Sequence, residues 1–215
     1  MLERPKKNDC LLHLQQTIVA DLLLETEALR LTPTRIAHHD IDPSAPISPY
    51  FLDLSRMSTS SARQEIANAF SLTMFGVRTD LLAPIPLTAV PFVTTLSDNT
   101  GIPLIIPRTE KKTHGGRGAI NGIYQRGQKV ILFDDVMTRG TSKELPIFLL
   151  EGAGLEITSI IVLIDREEGG MERFQKMGFD VRAFLKISDL LTYYEHTGQI
   201  PENALRPIWT YLFNL

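Results

Sequence analysis

The run Val130-Ile131-Leu132-Phe133, followed at once by Asp134-Asp135, limits the possible folds more than any other stretch of the chain. Consecutive apolar residues without alternation read as a strand covered on both faces, the pattern of a buried parallel sheet. Two adjacent carboxylates do not belong inside such a sheet. They are expected at the strand's carboxyl end, where ligands bind in open α/β folds. Val136 and Met137 lead into the hydroxyl-rich turn Thr138-Arg139-Gly140-Thr141-Ser142, and a helix is expected over 141–152. Backbone N–H groups at a helix start attract a phosphate, and Gly140 lets the backbone approach it closely. From the residues alone two readings stay open. One is a phosphate cradle beside an acidic pair that holds a sugar diol with a divalent metal; the other is a buried strand ending in a capped turn with two solvated aspartates. A Walker A loop is excluded, because no Gly-x-x-x-x-Gly-Lys-Ser/Thr occurs.

Further apolar runs alternate with helical patterns. Leu81 to Pro86, Ile102 to Ile106, Ile157 to Ile164 and Val181 to Leu185 read as strands, and Ile120 to Tyr124 as a hairpin partner of the central strand across Gln125 to Gln128. Helices are expected from a capping box Ser61-Ala62-Arg63-Gln64 through about Phe75, over Thr88 to Leu96, over Met171 to Met177, and from a Ser188-Asp189 cap through His196. The alternation predicts an α/β core with a largely parallel sheet flanked by helices.

At 215 residues the chain is long enough for one domain with a substantial core. We expect an N-terminal helix and hood segment over 1–57, the core over 58–190 and a helical tail over 191–215. A net charge of −3 gives no reason to expect a nucleic-acid partner. The single cysteine, Cys10, excludes a disulfide framework within the chain and any cysteine-based zinc site. No apolar run approaches transmembrane length and residues 1–7 lack a signal peptide's apolar region, so no membrane association and a cytoplasmic location are expected.

Leu11, Leu14, Ile18, Leu22 and Leu29 predict an amphipathic helix over 10–30. Residues 31–48 are broken by Pro33, Pro43 and Pro46. Within them His38-His39-Asp40 and Asp42 look like metal ligands, but adjacent loop histidines rarely converge on one ion, and an exposed turn is favoured. Ser48 to Leu54 reads as a strand with Tyr50 or Phe51 in the core. The segment Arg108 to Gly118 combines cations with glycines and has no apolar side chain to pack. It reads as a cationic loop, either an ordinary solvated one or one that closes over a polyanion. Arg166, at the end of the strand 157–164, suits a bidentate clamp on a planar carboxylate or imide, or a surface charge cluster. The tail carries Leu205, Ile208, Trp209 and Leu212 at helical spacing, expected to pack on the body or on a partner.

The stretch 130–142 resembles the 5-phosphoribosyl-1-pyrophosphate (PRPP) motif of type I phosphoribosyltransferases, an apolar strand running into Asp-Asp-Val and a Thr-x-Gly-Thr/Ser turn. The pattern Arg-x-Glu-x-Lys-x-His-Gly, here Arg108, Glu110, Lys112, His114 and Gly115, resembles the catalytic loop of orotate phosphoribosyltransferases. Ser48-Pro49-Tyr50-Phe51 resembles that family's hood, and Asp165-Arg166 followed by Gly169-Gly170 its base-contacting loop. The likeness covers roughly residues 48–190 and implies the type I phosphoribosyltransferase fold. It also implies conversion of orotate and PRPP to orotidine 5′-monophosphate and pyrophosphate with Mg²⁺, in a homodimer whose loops reach into each other's sites.

The resemblance assigns roles. Lys112, His114, Asp134 and Asp135 would be catalytic. Arg108, Lys111, Lys112 and His114 would bind PRPP together with the whole run from Asp134 and Asp135 through Val136, Met137, Thr138, Arg139, Gly140, Thr141 and Ser142. Ile85, Pro86, Leu87, Thr88 and Ala89 would form the pyrophosphate loop, and Tyr50, Phe51, Thr138 and Arg166 would hold orotate. The metal would be bound indirectly, through PRPP near Asp134 and Asp135. Three positions depart from the family: Thr88 and Thr109 stand where many members carry lysine, and Pro43 to Ile47 replace a cation-bearing segment. A phosphoribosyltransferase for another base, or a non-catalytic PRPP-binding regulator, are the alternatives these departures leave.

Overall fold

The computed structural model of the chain describes residues 12–35, 46–108 and 119–214. Helix α1 (Leu14–Glu25) buries Val19, Ala20 and Leu23. It ends earlier than the expected 10–30 helix because Glu27 takes a left-handed φ of 53°. Leu29 thus belongs to strand β1 (Leu29–Arg30), which pairs antiparallel with β2 (Phe51–Leu52). The strand expected over 48–54 is reduced to β2: Pro49 has no N–H for a ladder, and Leu54–Arg56 coil into a 3₁₀ turn.

Helix α2 (Ser60–Thr73) is capped by Thr59, whose hydroxyl accepts from the Ala62 N–H at 3.2 Å. The expected box at Ser61 is not used, and the Gln64 amide instead donates to Asn68. Strand β3 (Leu81–Pro84) leads into α3 (Ala89–Thr100), which stops at Gly101 in the left-handed region. Strands β4 (Ile106–Pro107) and β5 (Ile120–Asn121) pair antiparallel with each other. This corrects two expectations. The strand over 102–106 shortens to β4, with Leu104 touching the main sheet only through a bridge to Leu82, and residues 120–124 do not pair with the central strand. That strand, β6 (Lys129–Met137), has both edges occupied, by β3 on one side and β7 (Glu156–Asp165) on the other.

Between β6 and β7 runs α4 (Thr141–Gly152), and α5 (Gly170–Lys176) connects β7 to β8 (Val181–Lys186). The main sheet has the order β3-β6-β7-β8, every pairing parallel, so its carboxyl ends share one edge. Alternate residues serve opposite faces. Ile131 and Phe133 pack with Ile66 and Phe70 of α2 and Phe92 of α3, whereas Val130 and Leu132 pack with Ile147 of α4 and Phe174 of α5. Coverage on both sides is why the strands read as unbroken apolar runs.

Helix α6 (Ile187–Thr197) starts after Lys186, whose side chain makes no cap hydrogen bond. The Glu167 carboxylate accepts the Ser188 N–H at 2.9 Å instead, tying the loop after β7 to the helix start. Helix α7 (Glu202–Phe213) packs back on the body through Leu205, Ile208, Trp209 and Leu212, and Tyr211 meets the ring of Tyr50 edge-on. Side chains of α1, of the hood around Tyr50 and of α7 share one hydrophobic cluster with the sheet. Among the described residues no helix is long and apolar enough to cross a membrane.

Candidate active site

The carboxyl ends of β3, β6 and β7 bring together most of the residues singled out in the sequence. Strand β6 continues through both aspartates to Met137, and the chain turns at Gly140 (φ 83°) into α4. Two close approaches fix this turn. A Cβ at Gly140 would collide with the Phe174 ring, and one at Gly170 with the Thr138 carbonyl oxygen. The Arg166 N–H donates to the Met137 carbonyl at 2.9 Å, which joins the loops after β6 and β7. Arg173 bridges them again, ion-paired with Glu144 and donating to the Arg139 carbonyl. Thr138 to Ser142 therefore form a braced turn at the start of a helix, with Arg139, Thr141 and Ser142 exposed.

The two aspartates differ sharply. Asp134 is buried, and its Oδ2 lies 2.5 Å from the ammonium of Lys143, itself buried in the first turn of α4. Its Oδ1 accepts the Asp135 N–H at 2.9 Å. Asp135 is only half-buried and accepts the Val136 N–H at 2.8 Å. Burial, and then the neighbouring Asp134 carboxylate, push Asp135 well above the usual carboxylate range.

In the loop after β3, Leu87 is exposed and Pro86 and Thr88 are half-buried. The Ile85 N–H is already spent on the Phe133 carbonyl at 2.8 Å, and Pro86 has none. This narrows the expectation that Ile85 to Ala89 would all offer N–H groups: the donors left are those of Leu87, Thr88 and Ala89. Arg108 directly follows β4, its guanidinium donating to the Asn121 side chain. Lys111, Lys112 and His114 lie outside the described residues, as do Thr109, Pro43 and the histidines at 38 and 39.

Arg166 is turned inward, 2% exposed. Its Nη2 donates to the Ser48 hydroxyl at 2.8 Å and its guanidinium lies over the fully buried Tyr50 ring. Its Nε sits 2.8 Å from the buried Glu168 carboxylate, out of line for a straight hydrogen bond. Phe51 is half-buried beneath Arg30. Of the expected orotate set, Arg166 and Tyr50 lie together, and in this conformation they contact each other and, unexpectedly, Ser48. A cleft of about 460 Å³ opens alongside, lined by Arg139, Asp165, Glu167, Glu168, Glu172 and Lys186. Burial raises Asp165 there to about 6.

Sequence reasoning missed Lys143 and Glu168. The signal for Lys143 was a lysine among the core-facing positions of α4, close in sequence to two aspartates. For Glu168 it was a second carboxylate beside a strand-end arginine. Among the described residues no cluster of three or more His, Cys, Asp or Glu side chains could hold a metal alone.

No family model matches the chain. It is 34% identical over 172 residues to the orotate phosphoribosyltransferase of Pyrococcus furiosus, covering 79% of this chain and 91% of that one. It is 30% identical over 161 residues to a bifunctional enzyme PyrF/PyrE of Nostoc sp., covering 74% of this chain and 34% of that protein. Among solved structures it resembles the UMP synthase of Leishmania donovani, with a TM-score of 0.83, 28% identity, and coverage of 92% of this chain and 42% of that one. The chain therefore spans about a third of the Nostoc protein, less than half of the Leishmania chain and most of the Pyrococcus enzyme.

Proposed function

Since the chain belongs to the orotate phosphoribosyltransferase family, we propose that it transfers the 5-phosphoribosyl group of PRPP to orotate, giving orotidine 5′-monophosphate and pyrophosphate. One observation carries the reading: the Asp134-Asp135 pair runs directly into the braced Thr138–Ser142 turn at the start of α4, with Arg166 on the next strand end. A ribose 5-phosphate has its phosphate and its diol spaced to meet those two features together.

In the proposed reaction the bond from C1 of the ribose to the pyrophosphate oxygen breaks as the bond to the orotate ring nitrogen forms, and that nitrogen gives up its proton. No covalent intermediate on the enzyme is needed, so the rate comes from positioning and from stabilising developing charge. N–H groups of Thr138 to Ser142 hold the 5-phosphate, and those of Leu87 to Ala89 face the pyrophosphate. The acidic pair orients the ribose and balances positive charge at C1. Lys112 neutralises or protonates the departing pyrophosphate, with His114 and Arg108 assisting. Arg166 swings from Ser48 and Glu168 to the orotate carboxylate, against Tyr50 and Phe51. Mg²⁺ bound to the substrate's oxygens would spread the charge of the leaving group. The reading includes a homodimer in which the 108–118 loop serves the neighbouring site, with exposed apolar side chains such as Phe148 available for contact. It also includes a cytoplasmic setting, consistent with a single cysteine.

The test is turnover of orotate by the purified protein with PRPP and Mg²⁺, followed by loss of orotate absorbance, beside Lys112→Ala. Turnover that collapses in the variant supports the reading. PRPP binding with no consumption of orotate overturns it and calls for a screen of other bases.

A further inference from the structure

Lys143 is buried to 1% exposure at a position where local energetics do not favour a lysine. A cation in the first turn of a helix opposes the helix dipole, and moving an ammonium into the α4–sheet interface costs its hydration. Three acceptors offset that cost. The ammonium lies 2.5 Å from Asp134 Oδ2, 2.9 Å from the Val136 carbonyl and 3.2 Å from the Ser142 hydroxyl. Those contacts use all three of its protons. They also join two parts of the site, since Asp134 belongs to the acidic pair and Ser142 to the phosphate turn.

Both oxygens of Asp134 are thereby engaged, Oδ2 by Lys143 and Oδ1 by the Asp135 N–H, and its side chain is only 8% exposed. Asp135, the less buried of the two, is the one left near the open edge. We infer that Lys143 is a positioning residue for the acidic pair: it locks Asp134 inward, ties it to Ser142 of the phosphate turn, and leaves Asp135 as the carboxylate that meets the ribose. The inference rests on the proposed function, which supplies the ribose. It has an electrostatic consequence as well. With Asp134 ion-paired to Lys143, the pair shows PRPP, itself a polyanion, less negative charge than two free carboxylates would.

The experiment measures PRPP affinity with Mg²⁺ by calorimetry, together with the KM for each substrate. It compares the wild-type protein with Lys143→Met, Asp135→Asn and the double variant Asp134→Asn/Lys143→Met. Lys143→Met is expected to weaken PRPP binding about tenfold to a hundredfold, as loss of alignment does, and to raise the KM for PRPP while the KM for orotate stays near wild type. A purely structural lysine would lower the active fraction and leave both KM values unchanged. Should the buried unpaired Asp134 prevent Lys143→Met from folding, the uncharged double variant is measured in its place, and the same loss of PRPP affinity is expected. Wild-type PRPP affinity in whichever variant folds, or in Asp135→Asn, overturns the inference alone. A wild-type protein that binds no PRPP overturns the proposed function and this inference with it.

Discussion

The Arg166 guanidinium carbon lies 4.3 Å from the centre of the Tyr50 ring, at cation–π distance, although one residue follows β7 and the other belongs to the hood. The contact holds the arginine against the hood, with Ser48 and Glu168 at its nitrogen atoms. Arg166→Lys keeps the charge but loses the planar guanidinium and its paired donors. The KM for orotate is expected to rise about tenfold to a hundredfold, the worth of charged hydrogen bonds, with the KM for PRPP little changed. An orotate KM equal to wild type would remove Arg166 from base recognition.

Asp165 yields a prediction about stability and pH. Burial raises its pKa from 3.8 to about 6, against the partial relief of the Glu167 N–H bond. Between those values the folded protein keeps a proton that the unfolded chain has released. Stability contributed by this group is thus complete below about pH 4 and is lost as pH rises through about 6, by roughly 2–3 kcal/mol. Asp165→Asn, which cannot ionise, should flatten the slope and gain relative to wild type at neutral pH. Urea unfolding at about pH 4.5 and about pH 7.5 checks the sign; an unchanged slope contradicts it.

Gly140 combines a left-handed φ of 83° with the Phe174 ring where a Cβ would stand. Gly140→Ala should destabilise the protein by about 1–3 kcal/mol. Because the turn must move to admit the methyl group, PRPP binding should fail before folding does. Thermal melts and calorimetry on the same sample separate the two, and wild-type PRPP affinity would show that the turn does not hold the phosphate.

Thr59 and Gln64 test which residues start α2. Thr59→Ala should cost about 1 kcal/mol, the usual worth of a cap, whereas Gln64→Ala, which removes only a bond to Asn68, should cost a few tenths. Neither should alter either KM. Equal losses would restore the capping box at Ser61.

Much of this architecture was legible beforehand, and particular residues show why. Strands β3, β6 and β7 stood out because sheet residues buried on both faces are mostly apolar. The acidic pair and its turn were visible because two carboxylates interrupt the apolar run, although β6 continues through both and buries Asp134. Less visible were matters of pairing. Residues 120–124 carry enough strand character to suit several partners, and the choice of β4 followed only because β3 and β7 already occupy both edges of β6. Ser188 and Asp189 have the chemistry of a cap, yet Glu167, from another loop, accepts the helix's N–H.

The sequence by itself determined the α/β class and the succession of the main strands along the chain. These follow from backbone periodicity and short-range charge, which act within a few residues. Only the tertiary structure decided which aspartate is locked by Lys143, that Arg166 rests on Tyr50 beside Glu168, and which loop N–H groups remain for a ligand. Each of those outcomes depends on groups distant along the chain competing for the same few donors and acceptors in a space closed to water, where an unpaired charge is too costly to leave.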